Sequence, residues 1–258
     1  MPASTLSRIV LITGANRIDG IGFAAARQLA LQHGFTVLLG SRNLSPSLDD
    51  AVQQLKKDGA KNGVHPLQID VASTDSVRRA ATEVEEKFGK LDVLVNNAAR
   101  GMPGYKATEH TRAHFEEVFA VNVFGVVGTI NAFAPLLAKS ASPRIVNVSS
   151  GAGSLGLISS LPGVGPIIYS TSKTALNMLT VMYSKDLPNT NAHFKVNSAC
   201  PGHTNTAFSG YTGGRTPDEA AVVITWLSTL PEDGPNGGFF CDHPPYSQKN
   251  GDFKTVEW

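Results

Sequence analysis

Six short runs rich in β-branched and apolar residues alternate along this chain with longer segments carrying apolar residues at helical spacing, and that alternation leaves few folds open. The runs are Arg8 to Thr13, Phe35 to Leu39, Val64 to Ile69, Leu91 to Val95, Arg144 to Val148 and His193 to Ala199. Helical patterns occupy Ile21 to His33, Leu48 to Asp58, Thr74 to Phe88, Thr111 to Lys139 and Tyr169 to Asp186. Strands joined through helices pair in parallel, and right-handed crossovers put helices on both faces of the sheet. The pattern therefore predicts an α/β fold, a Rossmann-like doubly wound parallel sheet with ligands at the carboxyl ends of its strands. No repeat, low-complexity tract or linker divides the 258 residues, so residues 1–258 are expected to form a single domain. The Gly- and Pro-rich stretch from Gly210 onward shows no clear element.

Composition narrows the partners. Charged residues make up 17% of the chain against roughly 25% in a typical globular protein, while 25 glycines and 41% hydrophobic residues point to extensive burial and many tight turns. A net charge of +1, with no Lys/Arg run, offers no electrostatic footprint for nucleic acid or an anionic membrane surface. A small uncharged partner fits better. Cys200 and Cys241 have neither metal-ligand spacing nor the density of a disulfide framework, and are expected to be free buried thiols with no metal. The start, MPASTLSRIVLITGA, has no cationic segment ahead of an apolar run, and nowhere do about 18 apolar residues follow one another. A cytoplasmic location is the expectation.

Directly after the first strand comes Thr13-Gly14-Ala15-Asn16-Arg17-Ile18-Asp19-Gly20-Ile21-Gly22, and a helical pattern follows at once. Glycines let backbone amides approach a pyrophosphate, and a helix N-terminus adds free N–H donors and a favourable dipole. At the end of the second strand an acid would accept from a ribose 2′-hydroxyl. Here Ser41 and Arg42 offer a hydroxyl and a guanidinium instead, and Arg17 adds a second cation from the first loop, a set that suits the 2′-phosphate of NADPH. Asp70 is positioned either to accept from the adenine amino group or to cap the next helix, a role open also to Ser73 or Thr74. Asn96-Asn97-Ala98-Ala99 follows the fourth strand, where small residues and paired amides can sit against a ribose or simply form a turn.

Tyr169 and Lys173 are four positions apart in a helical segment and so share a face. An ammonium about 4 Å from the phenol would favour phenolate by roughly 4 kcal/mol at an effective dielectric near 20, before desolvation opposes it. A phenol tuned in this way can give a proton to a developing alkoxide during hydride transfer. Ser150 ends the fifth strand at the ligand-binding edge and can hold a carbonyl oxygen. Asn122, an amide inside an apolar helical segment, needs a buried partner such as a water near Lys173.

In this chain order the motifs resemble the short-chain dehydrogenase/reductase family over nearly the whole sequence, with a weaker similarity to its carbonyl reductase branch in Glu232 to Phe240 and Val256-Glu257-Trp258. The resemblance implies a catalytic tetrad of Asn122, Ser150, Tyr169 and Lys173. It implies cofactor contacts from Gly14, Asn16, Arg17, Gly20, Ile21 and Gly22 in the first loop, and from Ser41, Arg42, Asp70 and Val71 after the second and third strands. Asn97, Ala98, Tyr169, Lys173, Pro201, Gly202, Thr204 and Thr206 complete that set. Three features depart from the family pattern: five residues separate Gly14 from Gly20 where three are usual, Ala99 stands where glycine is usual, and Tyr169 follows Ser150 by nineteen positions rather than about thirteen. The longer loop is expected to bulge.

The segment from Gly151 to Ile168 is uncharged and apolar and is expected to wall a substrate pocket, with Phe208 and Tyr211 as a lid. The combined expectation is an NADPH-dependent reductase of a hydrophobic ketone or aldehyde, as a monomer or a homo-oligomer. The alternatives are a nucleotide sensor without turnover and an alcohol dehydrogenase running oxidatively.

Overall fold

Strands that must be covered on both faces read as nearly unbroken apolar runs, and Ile9–Thr13 (IVLIT) and Thr36–Ser41 (TVLLGS), buried along their whole length, are built that way. The computed structural model describes residues 7–101, 106–163 and 165–258. One sheet contains β1 (Ile9–Thr13), β2 (Thr36–Ser41), β3 (Val64–Gln68), β4 (Val93–Asn96), β5 (Arg144–Val148), β6 (Lys195–Ala199), β7 (Phe239–Cys241) and β8 (Lys254–Thr255). Its order is β3-β2-β1-β4-β5-β6-β7-β8, parallel except for β8, which pairs antiparallel with β7. The chain therefore turns from one side of β1 to the other between β3 and β4, and a crevice opens at the carboxyl end of β1 where the direction reverses.

The helices are α1 (Ile21–His33), α2 (Pro46–Lys57), α3 (Thr74–Phe88), α4 (Arg112–Phe119), α5 (Gly125–Leu137), α6 (Leu155–Ser160), α7 (Ile167–Asp186) and α8 (Pro217–Ser228). Alternate strand residues feed two cores. Val10, Ile12, Val37 and Leu39 pack with Phe23, Leu29, Leu55 and Leu227 on the face covered by α1, α2 and α8. Leu11, Leu38, Leu94 and Ile145 pack with Val84, Ile130, Phe133 and Leu176 beneath α3, α5 and α7.

All six expected strands are present, β5 with the expected ends and the others with ends moved by at most two residues. Helix α2 starts earlier than its apolar pattern, at Pro46, because proline is already set for the first helical position behind Ser45. The helix expected over Thr111 to Lys139 is broken by a π-helical turn, Ala120–Phe124, that separates α4 from α5. Within the 26 residues from Arg112 to Leu137 an 18-residue window has a mean hydropathy of 1.7, long and apolar enough to cross a membrane although no run of about 18 apolar residues occurs. Half of that stretch is buried in the protein, and its α5 part packs against α3 and β4. The unassigned tail after Gly210 holds α8, β7 and β8, and the apolar segment after Ser150 holds α6. The N-terminal reading of residues 1–6 lies outside the described residues.

The edge opposite the crevice is tied by Arg144, at the amino end of β5. Its guanidinium is fully buried and donates to the carbonyls of Pro143, His193, Leu230 and Pro231 at 2.8–3.1 Å. Burial lowers its pKa to about 10, still well above neutrality. Arg144→Ala strands four carbonyl groups and opens a cavity, and is expected to lower stability by about 2–4 kcal/mol. Calorimetry should find a melting midpoint several degrees lower, and an unchanged midpoint would show that these bonds are replaced by water.

Candidate active site

The crevice begins at a backbone cradle. Gly14 adopts a left-handed φ of +67°, and a Cβ there would lie 2.9 Å from Ala98 Cα. At Gly22 a Cβ would lie 2.5 Å from Asn97 Nδ2 and 3.0 Å from the Gly14 carbonyl oxygen. Thr13 Oγ1 accepts from the amides of Asn97 and Ala98 at 3.0 Å, and Asn97 Nδ2 donates to the Thr13 and Gly14 carbonyls at 2.8 and 3.1 Å. Gly20, the N-cap of α1, supplies no side chain to its first turn, so the amides starting with Ile21 are left for an anion. A cradle that a methyl group would fill fits the pyrophosphate of a dinucleotide.

The loop tip folds into a turn of its own. Gly20 N–H donates to the Arg17 carbonyl at 2.9 Å, and Arg17 grips both Asp19 oxygens at 3.0 Å while reaching the Tyr211 hydroxyl at 3.3 Å. Arg17 is thus held by protein groups. Asn16 donates to Ser47 Oγ at 3.2 Å. Arg42 is exposed at the end of β2 and makes no ion pair among the described residues, and the adjoining Ser41 is buried. Asp70 Oδ1 accepts from the Ala72 amide at 3.1 Å, and Ser73 rather than Asp70 caps α3. Val71 presents its carbonyl to Gly125, where a Cβ would approach to 2.9 Å.

Helix α7 brings in Tyr169 and Lys173 on successive turns. Lys173 is buried, and its Nζ donates to the Val148 carbonyl at 2.7 Å. Burial lowers its pKa to about 8. The expected depression of the Tyr169 pKa by Lys173 is overturned: burial raises that phenol well above its ordinary value, with a hydrogen bond to Ser150 in opposition and Cys200 adding to the rise. The physical reason is placement. Lys173 Nζ sits 5.5 Å from the centre of the phenol ring and is held by a bond to the Val148 carbonyl, so desolvation outweighs attraction.

Ser150 caps a short 3-10 turn, Gly151–Gly153, and accepts from the Ala152 amide at 3.2 Å. Gly153 packs directly on α7, where a Cβ would stand 2.7 Å from Lys173 Cβ. Asn122 lies in the π-helical turn, and its amide brackets the backbone of Arg100, accepting from N–H at 2.8 Å and donating to C=O at 2.9 Å. It also donates to Ser172 Oγ at 3.0 Å. Both amide protons of Asn122 are therefore matched by protein acceptors. Beyond β6, Pro201, Thr204 and Thr206 are buried, Gly202 takes a φ of +76°, and the Phe208 ring stands 5.7 Å from that of Tyr169.

The model of the short chain dehydrogenase family matches residues 8–214, the stretch that contains this crevice. The chain belongs to that family. A short-chain dehydrogenase of Penicillium roqueforti is 35% identical over 240 residues, covering 88% of this chain and 90% of its own. The (+)-neomenthol dehydrogenase of Arabidopsis thaliana is 34% identical over 92% of this chain and 97% of its own. Among solved structures, NADPH-bound carbonyl reductase from chicken fatty liver superposes with a TM-score of 0.82 at 26% identity, over 98% of this chain and 99% of that one.

Sequence reasoning missed a buried polar layer beneath this short-chain dehydrogenase crevice. Ser149 Oγ donates to Asn177 at 2.7 Å, Asn147 donates to Thr180 at 2.9 Å, Thr180 meets Ser198 at 2.8 Å, and Asn96 donates to Asn147 at 2.9 Å. A signal existed: Lys173, Asn177, Thr180 and Ser184 recur at helical spacing on one side of α7, where a sheet-covering helix is normally apolar. Gly22→Ala is expected to push Asn97 off its two carbonyl partners and to lower stability by about 1–2 kcal/mol. The midpoint of urea unfolding reads this directly, and a wild-type midpoint would mean that the Asn97 contact is dispensable.

Proposed function

We propose that this short-chain dehydrogenase/reductase forms one dinucleotide-binding and catalytic domain that reduces a hydrophobic ketone or aldehyde to an alcohol with NADPH, with Tyr169 as proton donor. One observation carries the reading: Ser150, Tyr169 and Lys173 converge at the carboxyl end of β5, in the same crevice as the glycine cradle. NADPH, when bound, supplies the hydride. The raised pKa of Tyr169 keeps its hydroxyl protonated at neutral pH, which suits a group that must give up a proton to a developing alkoxide. Ser150 shares a hydrogen bond with that hydroxyl and is available to the same carbonyl oxygen. Lys173 supplies the charge that stabilises the phenol once its proton has left. Asn122 holds the Arg100 peptide and, through Ser172, the start of α7, so it orients the turn beside Tyr169.

Exposed Arg42 with Ser41 suits a 2′-phosphate, and the NADPH carried by the chicken carbonyl reductase supports the same cofactor. Exposed Leu155, Leu161 and Phe208 give the entrance an apolar rim. Val164, in the same expected wall, lies outside the described residues. A cytosolic location accords with two cysteines that are free and buried.

Loss of NADPH absorbance against a panel of hydrophobic ketones, aldehydes and quinones tests the reading, which fails if none is consumed. Tyr169→Phe is expected to lower kcat by roughly 10²–10⁴-fold without weakening NADPH binding in a fluorescence titration. Arg42→Ala should raise the Kd for NADPH about tenfold or more and leave that for NADH nearly unchanged.

The pH dependence follows from the two pKa directions. Tyr169 stays protonated across the working range, whereas Lys173 is charged below about pH 8 and loses its charge above it. Reduction is therefore expected to decline as pH rises through about 8. A profile of kcat/KM that stays level up to about pH 9.5 would contradict a requirement for the Lys173 charge.

A further inference from the structure

Two loops that leave the sheet three strands apart meet over its carboxyl edge. β4 and β5 lie between β1 and β6, a span of about 14 Å at roughly 4.8 Å per strand. Even so, Tyr211, from the segment after β6, reaches the loop after β1. Its hydroxyl donates to Asp19 Oδ2 at 2.6 Å and accepts from Arg17 at 3.3 Å, while Arg17 closes on both oxygens of Asp19 at 3.0 Å. Asp19 belongs to the loop that is two residues longer than the family's usual one.

The base of the second segment is anchored. Asn205 N–H donates to the Arg215 carbonyl at 2.8 Å, and Arg215 N–H donates to the His203 carbonyl at 3.2 Å. Gly213 lies so close to the Thr204 peptide that no Cβ fits between them. The Arg215 guanidinium is tied at 2.8 Å to Asp242, which is fully buried. From this base the chain from Thr206 to Tyr211 puts down two aromatic feet on opposite sides of the crevice. Phe208 stands beside Tyr169 and against Gly101, and Tyr211 stands on the cofactor loop. Tyr211 has a φ of +59°, a left-handed conformation that its contacts must sustain.

The geometry points to Tyr211, Asp19 and Arg17 as a clasp that shuts residues 206–211 over the crevice and sets how fast a dinucleotide enters and leaves it. This rests on the cofactor reading of the preceding subsection and adds to it a group of residues that need not touch the cofactor. The clasp is made wholly of this chain's side chains, and within it Arg17 is already paired with Asp19 and Tyr211. Opening it is then a step shared by entry and exit, so weakening it speeds both by the same factor and leaves Kd nearly constant.

Stopped-flow fluorescence of NADPH and NADH binding, with release followed by displacement with excess oxidised nucleotide, provides the test. Tyr211→Phe keeps the ring and removes the hydroxyl. Because the contacts are exposed hydrogen bonds to charged groups, its association and dissociation rate constants are expected to rise together by roughly three- to tenfold, equally for both nucleotides. Asp19→Asn should give the same result independently, and the double variant should exceed neither by much, since both break one clasp. Thermal midpoints matching the wild type verify folding, and either variant alone can carry the test.

Rates within about twofold of wild type in both variants would overturn the clasp. An effect on NADPH release alone would also overturn it, by assigning Arg17 to the 2′-phosphate. Wild-type protein that binds neither nucleotide would overturn the cofactor reading together with the clasp, whereas normal wild-type binding with unchanged variants overturns the clasp only.

Discussion

A buried ammonium must find an acceptor, and Lys173 finds one in the carbonyl of Val148 at the end of β5. That bond fixes the start of α7 against the strand end from which Ser150 emerges. The layer around it is polar for the same reason, since every hydroxyl and amide admitted to a low-dielectric interior has to be matched. Asn177 answers Ser149 and the Gly153 carbonyl, Thr180 answers Asn147 and Ser198, and Thr129 answers Asn96. A purely apolar seam would tolerate sliding, whereas this one has a single register. Gly153, flat against Lys173, lets the turn after Ser150 come close enough to share it.

Much of the architecture was legible because strand and helix periodicities report burial, and burial is what folding this chain satisfies. Six runs became strands β1 to β6, and the glycines of the first loop became a cradle in which two of them contact neighbouring backbone or amide atoms directly. The two shortest strands left no such trace. β7 has three residues and β8 two, too few for an alternating pattern to stand out from a stretch rich in Gly and Pro. The cap of α3 was open among three residues in the sequence, and only the bond from the Ser76 amide to Ser73 decides it.

Which force dominates at a site was harder to read than which residues meet there. The four-residue spacing of Tyr169 and Lys173 correctly puts them on neighbouring turns, but spacing carries no information on how deeply each is buried or where the ammonium directs its proton. Desolvation governs both groups and moves them in opposite directions, the phenol up and the amine down. Arg17 shows a similar limit. A cation in the first loop is visible in the sequence, yet its engagement by Asp19 and by Tyr211, 194 positions away, exists only once the sheet brings two distant loops together.

The π-helical turn at Ala120–Phe124 bears on how this chain tolerates length changes. A π turn amounts to one residue inserted into an α-helix, and each helical residue advances the side-chain direction by about 100°. Deleting a single residue there would restore an unbroken helix while rotating everything beyond it. Thr129, Ile130 and Phe133, all fully buried, would swing off the sheet, and Asn122 would release the Arg100 peptide. The apparent irregularity therefore acts as a phase adjuster between two helical halves that serve different surfaces, and a design that idealised this helix would remove the adjustment.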